Sequence, residues 1–149
     1  MRRFVAAGFG VGLLPRRLWG SDSGAGTLGA LVAAALGAAL LAAPIWAHLI
    51  ATVVAIGLSL WAPRPFLVEE RDPGWVAIDE IAGALLAVTA LSGWPWAVAW
   101  LVARLADIFK VLPGTRKAER LPGTLGVTGD DLVAGFYGLA VGVLLTIWL

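Results

Sequence analysis

No cysteine occurs among the 149 residues, and there is a single histidine, His48. A disulfide framework, a thiolate nucleophile and a Cys-ligated zinc site are therefore excluded, and a phosphohistidine mechanism has almost nothing to draw on. Charge is scarce as well, at 14% of residues against the roughly 25% usual in soluble domains. The net charge of +1 leaves no polybasic surface for nucleic acid. What takes the place of charge is apolar side chains, 60% of the chain, with a mean hydropathy of +0.88. That composition points to an integral membrane protein, and the length to a single domain over residues 1–149.

Three stretches carry no charge at all: 41 residues between Asp22 and Arg64, 23 between Glu80 and Arg104, and 18 after Asp131. A helix of 41 residues would be about 60 Å long, twice the thickness of a bilayer core. The first stretch must therefore fold back, and Pro44 offers the turn, giving helices near 27–43 and 45–61. The second stretch turns at "SGWP" (92–95), with arms near 80–92 and 95–110; as a single span it would place Lys110, Arg116, Lys117 and Arg120 outside, against the positive-inside tendency. Gly93 is expected to stop one arm and Pro95 to sit in the first turn of the next. The leading "MRRFVAAGFGVGLLP" has the arginines of a signal peptide but no small-residue cleavage site, so it is expected to be retained. The fold class is thus all-α, an integral membrane bundle of about five helical segments, two of which form a short hairpin that can be re-entrant.

In this layout, three groups of acids reach one membrane face. Asp79 and Glu80 start the third helix, Asp107 lies near the end of the fourth, and Asp130 and Asp131 open the fifth. Capping explains one acid per helix start, not two, and a helical ion pair with Arg104 or Lys110 explains Asp107 alone. Together, however, uncompensated carboxylates repel and raise one another's pKa values. A hard divalent cation such as Mg²⁺ removes that repulsion, so all five acids are candidate metal ligands. Arg104, Asp107 and Lys110 fall on one helix stripe, and Arg104 can grip a phosphate bidentately where Lys110 acts as a point charge. The glycine-rich lead into the first long helix, with Gly26 and Thr27, offers backbone N–H groups to an anion. His48 is placed at the opposite membrane interface. Metal-activated water attacking phosphorus is the chemistry that remains.

Read in order, "GFGVGLLP", "GTLGA", "DEIAG", "RLADIFK" and "GVTGDDLVAG" resemble the phosphatidylglycerophosphatase A family. The most specific element is Arg104-x-x-Asp107-x-x-Lys110 followed by Asp130-Asp131-x-x-Ala134-Gly135. The chain departs from the family's usual pattern at Val11, Leu14, Ile78, Val111 and Ala118, where Glu119 stands beside the replaced acid. The resemblance implies a Mg²⁺-dependent phosphatase of the bacterial inner membrane, acting on the phospholipid phosphatidylglycerophosphate at the cytoplasmic face. It makes Asp79, Glu80, Asp107, Asp130 and Asp131 catalytic or metal-binding acids, and Arg104, Lys110, Gly26 and Thr27 phosphate contacts. Which acid ligates and which orients water stays open, with Asp130 free to cap the last helix while Asp131 faces the metal, or the reverse. A phosphatase for another lipid phosphate, a small cation-transport subunit and a purely structural membrane subunit are the alternatives.

Overall fold

The computed structural model describes residues 1–68 and 72–148. These contain eight α-helices and no strand, rather than about five helices. Five are 11 residues or longer: α3 (Ala25–Leu40), α4 (Ile45–Trp61), α5 (Ile78–Val88), α6 (Gly93–Phe109) and α8 (Thr124–Trp148). The additional three are short: α1 (Arg2–Ala6), α2 (Leu14–Trp19) and α7 (Thr115–Glu119). They lie in the charged segments, where the hydropathy pattern gives no period to read. The N-terminal run breaks at Phe9 and Gly10, both with positive φ, so it forms a bent surface element.

Proline and glycine make the reversals. Pro44, extended at ψ 149°, separates α3 from α4. The chain also reverses between Val88 and Gly93, through Ala90 at φ 63° and Gly93 at φ 62°. Gly93 begins α6 instead of stopping α5, because its positive φ belongs to the turn that sets the direction of the second arm. Pro95 sits in the first turn of α6, where its missing N–H costs no hydrogen bond.

Helix α5 is the axis. Nine of its 11 residues are buried, among them Ile78, Ile81, Leu85 and Val88, and α3, α4, α6 and α8 pack around it. A helix apolar on all sides finds its place inside a bundle. Glycines decide how closely α8 approaches. A Cβ on Gly135 would strike the carbonyl of Gly83 on α5, and one on Gly138 would meet Ala87, Ala99 and Ala103. Where lipid surrounds the helices, such small-residue contacts replace the hydrophobic drive as the source of packing energy. Matched positions along α8, α5 and α6 show that α5 and α8 run parallel and α6 antiparallel to both.

The outward faces are apolar. Leu49, Ile50, Val53, Val54, Phe136, Leu144 and Ile147 are all about half exposed or more. Two segments, Ile45–Phe66 and Thr124–Trp148, are long and apolar enough to cross a membrane. Trp46, Trp94 and Trp148 mark one end of the bundle, and Trp61 and Trp75 the other, under the guanidinium groups of Arg2 and Arg3. Two polar contacts join helices within the bundle: Thr52 and Thr89 share a 3.0 Å hydrogen bond, and Trp100 Nε1 donates to the Ala30 carbonyl at 3.0 Å. His48, in the first turn of α4 beside the turn that joins α5 to α6, is buried, at 4% exposure.

Gly135→Val is expected to cost roughly 1–3 kcal/mol by forcing α5 and α8 apart. Gly57→Ala, whose new methyl meets nothing within 4 Å, should leave stability unchanged or slightly raised. Thermal melts of the detergent-solubilised proteins check both; equal melting temperatures for Gly135→Val and wild type would refute the close-contact account.

Candidate active site

Helix direction brings the sparse charges together. The start of α3, the first turn of α5, the last turns of α6 and the early turns of α8 meet at one end of the bundle. Asp79 and Glu80 are the second and third residues of α5, well placed for its positive dipole end, and the N-cap itself is Ala77, which has no polar side chain to cap with. Asp130 and Asp131 do not open α8. That helix begins at Thr124, after the Pro122–Gly123 turn, so the pair lies almost two turns inside and neither acid is a cap. The extra turns pack against α7: a Cβ on Gly126 would strike the Leu121 carbonyl, and one on Gly129 would lie 3.4 Å from the Ala118 Cβ.

Asp107, Asp130 and Asp131 each place one carboxylate oxygen within 4.8 Å of the others. Asp130 and Asp131 are buried and Asp107 partly so. Asp79 and Glu80 approach this triad from α5. Asp79 is buried, and Glu80 shares with Asp107, Asp131 and Arg104 the lining of a cavity of about 10 Å³, room for one water-sized species. Besides Asp22 Oδ1, three buried carboxylate oxygens lack a hydrogen-bond partner among the described residues: Asp79 Oδ1, Glu80 Oε2 and Asp130 Oδ1. Orphaned anionic oxygens facing one another are costly unless a cation is shared. The donor set, all carboxylate oxygen, suits a hard divalent ion of the Mg²⁺ kind.

The cations are already engaged. Arg104 Nη1 donates to Asp107 Oδ2 at 2.5 Å, and its Nη2 to Thr27 Oγ1 at 3.3 Å. Lys110 is not on the helical stripe of Arg104 and Asp107. It caps α6 in the left-handed conformation, φ 48° and ψ 38°, unusual for a side chain with a Cβ. That bend turns Nζ towards Asp130 Oδ2, at 2.5 Å, and Glu119 Oε1, at 2.8 Å. Burial alone would lower the Lys110 pKa, but the hydrogen bonds to Asp130 and Glu119 outweigh it and raise it above its ordinary value. Gly26 lies where expected, yet the space a Cβ would take is filled by the Glu80 carboxylate. The N-terminus of α3 thus already faces an anionic side chain.

One residue at this end escaped the sequence reading, and another was noted there without a role. Glu119, seen in the sequence only as standing beside the replaced acid at Ala118, pairs with Lys110. Asp72, just before Pro73 and Gly74, was given no role from the sequence. It is exposed along one edge, yet burial of its surroundings and the charge of Asp130 raise its pKa, against the opposing pull of Lys110.

Fold and site together define a helical, membrane-associated protein with a partly buried carboxylate cluster beside an arginine. More particularly, the phosphatidylglycerophosphatase A family model matches residues 4–146, and the chain belongs to that family. It is 34% identical over 144 residues to a Bacteroides thetaiotaomicron protein named "Putative phosphatidylinositol-3-phosphatase", covering 89% of this chain and 86% of that one. It is 27% identical over 151 residues to the Haemophilus influenzae phosphatidylglycerophosphatase A, covering 97% and 88%. No solved structure matches significantly. Family membership implies phosphatase activity.

The Lys110–Asp130 pair is open to a double-mutant cycle. Lys110→Met leaves the buried Asp130 carboxylate uncompensated and is expected to cost about 1–3 kcal/mol. In the Asp130→Asn background the same change should cost less than half as much. Additive losses in chemical denaturation would show that the two side chains do not depend on each other.

Proposed function

We propose that the protein hydrolyses the phosphate monoester of phosphatidylglycerophosphate, releasing phosphate and phosphatidylglycerol, with Mg²⁺ held at the carboxylate cluster. The observation that carries this reading is the triad Asp107, Asp130 and Asp131, its oxygens within 4.8 Å of one another and Arg104 alongside. These three acids would hold the ion. Bound there, Mg²⁺ supplies charge neutralisation and activation of water for attack on phosphorus.

The chain's own residues do the rest. Arg104 exchanges part of its contact with Asp107 for the phosphate oxygens and stabilises the charge that builds on them. Thr27, within reach of the same guanidinium, holds Arg104 towards the α3 terminus. Asp79 and Glu80, whose carboxyls lie within hydrogen-bonding range of each other, take up the proton of the attacking water. Lys110, donating to Asp130 Oδ2, fixes that carboxylate in place. Gly26 leaves the room that Glu80 needs to lie against α3.

A multi-pass position in the bacterial inner membrane, with this end of the bundle in the cytoplasm, suits the charge pattern. Arg2, Arg3, Arg104, Lys110, Arg116, Lys117 and Arg120 flank the acid end, as the positive-inside tendency requires. The relative named for phosphatidylinositol-3-phosphate hydrolysis favours a second reading, in which the same site works on an inositol headgroup. A cation pathway draws less support, because the mid-bundle threonines Thr52 and Thr89 are spent on each other.

Phosphate release from phosphatidylglycerophosphate by the purified protein is expected with Mg²⁺, to be abolished by excess EDTA, and to fall at least 100-fold in Asp131→Asn. Turnover that survives both EDTA and the substitution would reject the carboxylate site. A cysteine introduced at Gly93 should be labelled from outside the cell by a membrane-impermeant maleimide; labelling only after permeabilisation would invert the orientation.

A further inference from the structure

A second cleft opens beside the acid triad, lined by Asp72, Glu119, Arg120, Leu121, Gly123 and Val127. Its volume is about 120 Å³, against about 10 Å³ for the cavity among the acids. The small cavity admits a single water-sized species; the larger one has room for a string of hydroxylated carbons. The two are close. Glu119 lines the larger cleft and accepts from Lys110 at 2.8 Å, and the same Nζ donates to Asp130 at 2.5 Å. The cleft wall is therefore one side chain away from a triad carboxylate. Asp72, on the same wall, feels the charges of Asp130 and Asp107.

The lining has the chemistry of two different neighbours. Asp72 and Glu119 are hydrogen-bond acceptors suited to hydroxyl groups, whereas Arg120 is a fork of donors suited to a phosphate diester. Leu121 in the lining and Leu125, in the first turn of α8, expose apolar side chains at 48% and 55%. The cleft thus grades from acceptors, through one guanidinium, to an apolar rim.

We propose that this cleft is the headgroup subsite, and that it selects lipids carrying a hydroxylated headgroup between two phosphates. The terminal monoester sits at the triad, the polyol hydroxyls meet Asp72 and Glu119, and the diester joining headgroup to diacylglycerol pairs with Arg120. Phosphatidate, whose only phosphate is the monoester, leaves Arg120 and the acceptors unused. This rests on the phosphatase reading above for which phosphate lies at the triad. It also accounts for two relatives named for different headgroups, glycerol and inositol, because both lipids share the diester–polyol–monoester order.

Binding rather than turnover decides it. Phosphatidylglycerophosphate and chain-matched phosphatidate are titrated in mixed micelles against the full-length protein in EDTA, with tryptophan fluorescence as the readout. Both lipids carry the terminal monoester, so repulsion from the metal-free acids cancels in the ratio of their affinities. The expected ratio favours phosphatidylglycerophosphate by tenfold or more. It should fall about tenfold in Arg120→Gln, recover in part in Arg120→Lys, and stay unchanged in Arg116→Gln, whose side chain lines another part of the loop. An equal loss for both lipids, or a ratio indifferent to Arg120, overturns the proposal. A melting curve for each variant separates misfolding from lost recognition. Absence of phosphate release with Mg²⁺ would count against the phosphatase reading alone, because the affinity ratio is measured without turnover.

Discussion

The contact on which the acid end depends is between backbones. At Gly83 and Gly135, α5 and α8 touch without any intervening side chain, and Asp131 lies one turn before that contact. A methyl group at either position would strike the facing backbone and push the Asp130–Asp131 pair away from Asp79 and Glu80. Packing in lipid has no hydrophobic gain to spend between helices, so it rests on close approach and dispersion. The same glycines that stabilise the bundle therefore also set the spacing of its carboxylates.

Around that contact the electrostatics form a ring. Arg104 is held by Asp107 and Thr27, and Lys110 by Asp130 and Glu119. Neither cation is free in the way a phosphate contact read from sequence implies. Each balances a carboxylate, Arg104 that of Asp107 and Lys110 those of Asp130 and Glu119. The left-handed backbone at Lys110 belongs to this arrangement: a helical conformation there would carry the ammonium along α6 and away from α8.

Membership of the phosphatidylglycerophosphatase A family accords with the chemistry of these residues, since hard oxygen donors beside a guanidinium are what phosphoryl transfer requires. The two relatives differ in the headgroup their names carry, and the residues that could tell such headgroups apart lie outside the triad. On the proposal made above, they lie in the loop between α6 and α8 and before the Pro73–Gly74 turn. Loops positioned by a rigid bundle are where specificity changes most cheaply.

Much was legible in the sequence, and for a definite reason. Apolar composition and the three uncharged stretches determined an all-helical membrane protein, because a chain in lipid must satisfy its backbone internally. The few charges left over had to gather at the ends, so the acids themselves stood out, and the turn near Gly93 followed from the sign of the charges beyond it. The three short helices, the start of α8 at Thr124 and the departure of Lys110 from the helix were not legible. Each depends on turns and on contacts outside a single helix, some between near neighbours, such as Gly126 against Leu121, and some between separate elements, such as Lys110 against Asp130. Local propensity decides where a helix can form; which carboxylates share a site is decided only when the helices touch.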